Sequence, residues 1–297
     1  MYVVLGATGN TGSVAVRDLL ARGQKVRAVA RDPRKAQEFT VQGAEGVVAD
    51  VNDAAALAKV FAGASAAYVM LPPRAKDPDL IGAGNHMSTA ITDAVSKSGI
   101  RNVVLLSSVG AQLENKTGPI QCLHVFEEKL KQVKGLNTLS LRPGPFMENF
   151  LVLISLVKSM GMLAGGIDGK LKMSFIATRD IGVAAANALM NLDFSGFEAR
   201  ELQGQRDLSH DEVATAIGTE IGKPKLSYTR FPAFIVEQGM KQMGIPGKTA
   251  SLMSEMNDAV NDGLLQPLER RSAKNTTPTS IEDWVKDVFS PAYAAKN

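Results

Sequence analysis

Chemistry is concentrated first in Gly6-Ala7-Thr8-Gly9-Asn10-Thr11-Gly12, which spells G-x-x-G-x-x-G. The motif follows the apolar run Met1 to Leu5 and leads into a segment that places Val14, Ala15, Leu19 and Leu20 on one helical face. Glycines at a strand-to-helix turn tolerate positive φ and have no Cβ, so an anion can approach the backbone N–H groups at the helix start. The spacing predicts a cradle for a dinucleotide pyrophosphate, lined by Gly6, Thr8, Gly9, Asn10, Thr11 and Gly12.

A second signal lies where the ribose of such a ligand would sit. Proteins that read a ribose 2′-hydroxyl place a carboxylate at the end of the second strand, roughly 20 residues beyond the glycines. Here the strand-like run ends in Arg31, with Arg34 and Lys35 close behind. Guanidinium matches phosphate geometry, so the cations favour NADPH over NADH. Asp32 is the dissenting residue: one step of register would aim it at the ribose, although Asp before Pro33 is also an ordinary helix start. Asp50 has two readings of equal weight, a hydrogen bond to the adenine amino group or a turn cap before Asn52.

Arg31, Asp50, Leu71-Pro72-Pro73, Ser107-Ser108 and Pro143 all follow strand-like runs. Ligands in open α/β sheets lie beyond the carboxyl ends of the strands, so Leu71, Pro72, Pro73, Ser107, Ser108 and Pro143 join the expected cofactor-binding set. His124 is a candidate proton donor, set against the commoner structural role of a helix histidine. Phe146, Met147 and Phe150 are candidates for an apolar acceptor pocket, with ordinary core as the alternative. Asn149, placed after the sixth strand, joins His124 as a catalytic candidate. No carboxylate-histidine spacing suggests a metal.

Those residues need a frame. Apolar runs at Lys25 to Ala30, Gly46 to Ala49, Ala66 to Leu71, Asn102 to Leu106 and Thr138 to Leu141 alternate with helical patterns at Ala54 to Phe61 and His86 to Lys97. Continuous apolar strands alternating with helices predict a doubly wound parallel sheet, α/β in class. An alanine-rich helix from Arg179 to about Asn191 should return to that sheet. Ser209-His210-Asp211-Glu212 and Ser280-Ile281-Glu282-Asp283 carry capping signals, so the C-terminal third should be mostly helical. Residues 1–150, with about 176–195, are expected to form a dinucleotide-binding domain. Residues 151–175 and 196–297 are expected to form a smaller substrate or interaction lobe.

Composition narrows the classes. The 297 residues are 45% hydrophobic, with 33 basic and 30 acidic residues spread along the chain, so no nucleic-acid partner is implied. The single cysteine, Cys122, excludes an internal disulfide, and no apolar run approaches the roughly 20 residues of a membrane span. The expectation is a cytoplasmic protein without a membrane partner.

The arrangement resembles the short-chain dehydrogenase superfamily, but the tyrosines are Tyr2, Tyr68, Tyr228 and Tyr293, so its Tyr-x-x-x-Lys motif is missing after Ser107-Ser108. Gly6 to Gly12, Arg31, Ser107-Ser108-Val109-Gly110, the spacing of His124, Glu127 and Leu130, and Leu141-Arg142-Pro143-Gly144 with Asn149 resemble instead the NmrA-like family of atypical members, over roughly the first two hundred residues. The resemblance implies a Rossmann-type fold and either of two activities. One is an NADPH-dependent reductase passing hydride to a quinone-, azo- or dye-like acceptor. The other is a non-catalytic NADP(H) sensor acting on a protein partner. Plant reductases related to the family use a lysine near this helix, and Lys129 lies close to that place but out of register. A sugar-nucleotide epimerase would need a base where the tyrosine is missing. The apolar helix faces would meet their own lobe, a second copy in a homodimer or a protein partner.

Overall fold

The computed structural model describes residues 1–295. Its elements alternate as β1 (Tyr2–Val4), α1 (Asn10–Ala21), β2 (Val26–Ala30), α2 (Pro33–Val41), β3 (Glu45–Val48), α3 (Ala54–Phe61), β4 (Ala66–Val69), α4 (Leu80–Ser98), β5 (Asn102–Leu106), α5 (Gln121–Lys131) and β6 (Asn137–Pro143). They continue as α6 (Ile154–Met160), β7 (Met162–Gly165), α7 (Thr178–Asn191), β8 (Phe197–Leu202), α8 (His210–Glu220), β9 (Ser227–Arg230), α9 (Ala233–Gln242), α10 (Gly247–Asn261), α11 (Ile281–Trp284) and α12 (Ser290–Ala295).

Seven parallel strands run in the order β3-β2-β1-β4-β5-β6-β8. Successive side chains alternate between two cores: Val4 and Tyr68 join the layer under α1 and α7, whereas Val3, Leu5 and Val69 join the layer under α3, α4 and α5. Both faces are covered, which is why these strands read as continuous apolar runs rather than alternating ones. α7 approaches α1 so closely that a Cβ at Gly182 would lie 2.6 Å from the Thr11 carbonyl oxygen. The chain order reverses between β1 and β4, so the crevice above their carboxyl ends is where a ligand belongs.

Two expectations need correction. Residues 197–202, expected in the smaller lobe, form β8 and pair with β6 at the sheet edge. The fourth helix begins at Leu80 rather than His86, because Asp79 caps it by accepting Gly82 N–H at 3.1 Å.

The smaller lobe has its own core, built from Met147, Phe150, Phe175, Leu208, Trp284 and Phe289 among others, and a two-stranded parallel sheet of β7 and β9. Glu148 ties the two parts. Its carboxylate accepts Thr178 N–H at 3.0 Å, at the positive end of α7, and Trp284 Nε1–H at 3.2 Å. The capping box at α8 forms as its sequence predicts, with Ser209 and Glu212 exchanging hydrogen bonds.

His210, just inside that box, is 8% exposed among Phe150, Phe175 and Tyr228, and its Nδ1 has no partner among the described residues. Burial pushes its pKa from 6.5 down to about 4. The unfolded chain therefore binds a proton that the fold refuses, and the stability contributed by the neutral ring is complete above pH 6.5 and lost as pH falls towards 4. The effect amounts to up to about 3 kcal/mol. Denaturation midpoints measured between neutrality and pH 4 should fall less steeply for His210→Leu than for the parent, and parallel curves would remove His210 as a source of acid lability.

Candidate functional site: the crevice at the carboxyl ends of β1 to β6

Gly6 adopts φ +63°, and Gly9 N–H closes the turn onto the Gly6 carbonyl at 2.8 Å. Gly9 is then the N-cap of α1 and offers no side-chain acceptor, so the first-turn N–H groups and the positive helix end are left for a ligand. A Cβ at Gly12 would lie 2.3 Å from the Gly6 carbonyl oxygen. Thr8, Gly9 and Asn10 form the exposed lip, while Thr11 and Gly12 are buried. The cradle fits a pyrophosphate. Thr11 has a different task from the one expected: its hydroxyl pairs with the Tyr68 hydroxyl at 2.8 Å and locks the start of α1 to β4. Burial pushes the Tyr68 phenol up, so it stays protonated.

At the end of β2, Asp32 is engaged by the fold. It caps α2 by accepting Arg34 N–H at 2.8 Å. Arg34 also returns to Asp32 at 3.4 Å, and Lys35 pairs with Glu38 at 2.9 Å. Arg31 is exposed and makes no hydrogen bond or ion pair among the described residues, so of the three cations at this strand end its guanidinium is the one left for an anion. Asp50 accepts both the backbone and side-chain N–H groups of Asn52 at 2.8 Å, the turn-cap geometry. Those bonds, and then the charges of Arg31 and Arg74, hold its carboxyl below the ordinary value despite some burial. Arg74, from the segment after β4, is a cation that the motif reading passed over.

Beyond β5 and β6 the chain builds a buried polar knot. Glu127 of α5, 1% exposed, accepts Ser107 Oγ–H at 2.7 Å, Ser140 Oγ–H at 2.6 Å, Arg142 Nε–H at 3.0 Å and Arg142 Nη2–H at 2.5 Å. Burial alone would raise its pKa, but the bonds from Arg142, Ser140 and Ser107 outweigh it and the carboxyl is held low. Ser107, expected to meet the cofactor, therefore points its hydroxyl into the knot. Ser108 is the partly exposed member, its Oγ bonded to the Val109 carbonyl at 2.9 Å, and the Pro143 carbonyl accepts Val109 N–H at 3.1 Å. The sequence did hold a signal for the knot: Ser140 and Arg142 share one strand face, opposite to Leu139 and Leu141, and a polar pair on a buried face demands a polar partner there.

His124 lies on α5, half-buried, with Nδ1 2.9 Å from the Ala111 carbonyl. A carbonyl only accepts, so Nδ1 carries the proton and Nε2 is the nitrogen left over. Lys129 is directed away, donating to the Asn85 carbonyl, Ser88 and Thr89 of α4. Cys122 is buried and its thiol is pushed up to about 11, which removes it as a nucleophile near neutrality.

The expected acceptor-pocket residues separate. Phe146 is half-buried against the sheet core, next to a bridge with Ile176, whereas Met147 and Phe150 are buried in the core of the smaller lobe. Asn149 is exposed on a 3₁₀ turn spanning Met147–Leu153. Leu71 and Pro72 are half-buried and Pro73 exposed. Distant residues pack on the segment after β5: Glu255 of α10 accepts Gly118 N–H and Gln121 Nε2–H, each at 3.1 Å, and Leu265 packs on Ala111 and Ile120. α10 thus roofs the segment that follows β5. Among the described residues no group of three His, Cys, Asp or Glu side chains could hold a metal, and no helix is long and apolar enough to cross a membrane.

A family model described as NmrA-like matches residues 2–285. The chain belongs to the NmrA-like family. This NmrA-like chain is 28% identical over 258 residues to the NAD(P)H azoreductase of Xenophilus azovorans, covering 86% of each sequence. Its fold is similar to that of the NADPH-dependent quinone oxidoreductase of Escherichia coli complexed with NADPH, with a TM-score of 0.83 at 22% identity over 97% of this chain and 100% of the other. It is also similar to NmrA, a negative transcriptional regulator in complex with NADP, with a TM-score of 0.74 at 16% identity over 99% and 97% of the two chains.

Proposed function

We propose that this NmrA-like protein is an NADPH-dependent reductase that delivers hydride to a quinone-, azo- or dye-like acceptor. The observation that carries the reading is the pairing of an uncapped glycine cradle at α1 with the unengaged Arg31 guanidinium at the end of β2. The similarity to an NAD(P)H azoreductase and to a quinone oxidoreductase that binds NADPH supports the reaction class.

Bound NADPH supplies the hydride. The protein's part is to hold the pyrophosphate on the α1 N–H groups, the 2′-phosphate on Arg31 and a flat acceptor under α10 beside Ser108, Leu71 and Phe146. Holding donor and acceptor in near-attack geometry lowers the barrier by up to ~7–11 kcal/mol. A quinone or azo acceptor is electrophilic enough to take hydride unaided, and its reduced oxygen or nitrogen then takes a proton. Tyr68 is buried on Thr11, and Tyr228 is bonded to the Ile167 carbonyl with its phenol pushed up to about 12, so neither fills the place of the missing tyrosine. The proton then comes from water, with His124 as the nearby side chain able to relay it.

Replacing Arg31 by Ala removes a charge-assisted contact of about 1.5–3 kcal/mol, so the Kd for NADPH should rise roughly 10- to 150-fold while that for NADH stays within about threefold. Equal losses for both would overturn the 2′-phosphate assignment.

The reaction itself is tested by following NADPH oxidation against a panel of quinones and azo dyes. Turnover with any acceptor is the expected result. Tight NADPH binding without turnover across the panel would overturn the reductase reading in favour of a dinucleotide-sensing regulator.

A further inference from the structure

The smaller lobe holds a cavity of about 280 Å³ between the ends of β7 and β9 and one face of α10. On α10 the residues Ser254, Asn257 and Asp258 line it, whereas Glu255 and Met256 point towards the segment after β5. Residues three and four apart share a helix face, so Asn257 and Asp258 both lie beside Ser254. The cavity is therefore on the side of α10 turned away from the segment after β5. Its wall is built: Asn261 accepts Asp168 N–H at 2.8 Å and donates to the Gly166 carbonyl at 3.0 Å, and Gly165 accepts Phe231 N–H at 2.8 Å.

The polar groups inside are unengaged. Ser254 is 6% exposed; its Oγ is sealed beneath the wall, without a hydrogen-bond partner among the described residues. Arg230, Asn257 and Asp258 likewise make no side-chain hydrogen bond or ion pair among the described residues. A Cβ at Gly166 would lie 2.8 Å from Asn257 Nδ2, so only glycine leaves that amide its place.

We propose that this cavity is a second ligand site, for a small ampholyte of the free amino acid type. Arg230, on the β9 side, takes the carboxylate, and Asp258, on α10, takes the ammonium. Asn257 adds a neutral hydrogen bond, and Phe231 supplies an apolar wall. A lone anion would leave Asp258 repelled and a lone cation would leave Arg230 repelled, so a ligand carrying both charges fits best. The volume sits just below the roughly 300–1,000 Å³ of drug-sized pockets, which suits one amino acid and not a peptide. The proposal is independent of the reductase reading, because no residue of the cofactor crevice takes part.

Titration calorimetry of the full chain, without NADPH, against each standard free amino acid at up to about 10 mM tests it. At least one should bind with a Kd near or below about 1 mM. Its N-acetyl and carboxamide derivatives, each lacking one charge, should bind about tenfold or more weaker, as should the parent amino acid to Arg230→Gln and Asp258→Asn. Both residues are exposed, so these variants should keep the parent's circular dichroism. No binding by any amino acid, or binding indifferent to both variants, would overturn the site.

Discussion

Gly12→Ala should abolish useful cofactor binding. The added Cβ would meet the Gly6 carbonyl oxygen at 2.3 Å, the Gly6 carbonyl carbon at 2.8 Å and Ala7 Cα at 3.2 Å. All three are backbone atoms of the turn, so no side chain can swing aside. The turn must open, and the first N–H groups of α1 lose their common focus on the pyrophosphate. Losing two charge-assisted hydrogen bonds costs about 3–6 kcal/mol, so the Kd for NADPH should rise by roughly two orders of magnitude or more. Fluorescence titration with NADPH measures it. An affinity within about threefold of the parent would show that the glycine run is only a tight turn. Gly23→Ala is a useful contrast: Gly23 has positive φ, at +71°, but a Cβ there meets nothing within 4 Å, so any loss should be of stability and not of binding.

The second large effect is on stability. Glu127→Ala would leave the Arg142 guanidinium buried without its counter-charge and the Ser107 and Ser140 hydroxyls without their acceptor. Removing one partner of a buried pair costs about 3–5 kcal/mol, a large part of the ~5–15 kcal/mol that holds a native protein folded. The denaturant midpoint should fall accordingly, and NADPH oxidation should fall with it at temperatures where the variant begins to unfold. Replacing both partners, as Glu127→Met with Arg142→Leu, should restore much of the loss, because the cost arises from the uncompensated charge rather than from a strong attraction. A single variant within about 0.5 kcal/mol of the parent would mean that the knot is solvated in solution. The depressed Glu127 carboxyl gives the same knot a pH signature. Its contribution is present above the ordinary value of 4.5 and is lost as pH falls through the lower folded value. Glu127→Gln should flatten that acid limb.

Much of the cofactor end was legible because it is written in local sequence. A strand, a glycine turn and a helix are contiguous, and φ +63° at Gly6 follows from contacts within a few residues. The alternation of apolar runs and helical patterns likewise announces a doubly wound sheet, since each unit buries its own faces. Arg31 and Asp32 mark the boundary of that legibility. Both stood as candidates for the ribose, and only the α2 cap, with Asp32 accepting Arg34 N–H, showed which one is already engaged.

At the reaction end the tertiary structure decided. Ser107, Glu127, Ser140 and Arg142 come from three elements, and their hydrogen bonds exist only because β5 pairs with β6 beneath α5. Met147 and Phe150 carry no local sign that they belong to the smaller core, because burial depends on Phe175, Trp284 and Phe289 arriving from distant parts of the chain. β8 was hidden for a related reason: Glu198 and Arg200 make it look like a surface segment, and an edge strand has only one neighbour to mark it. The amino-acid sequence by itself thus determined the turn geometry of the cradle, the caps at Ser209 and Ser280 and the fold class, all set by backbone sterics and periodicity within a few residues. Which polar groups remain free for a ligand, and which are consumed by the fold, was decided only by the packing of segments far apart in the chain.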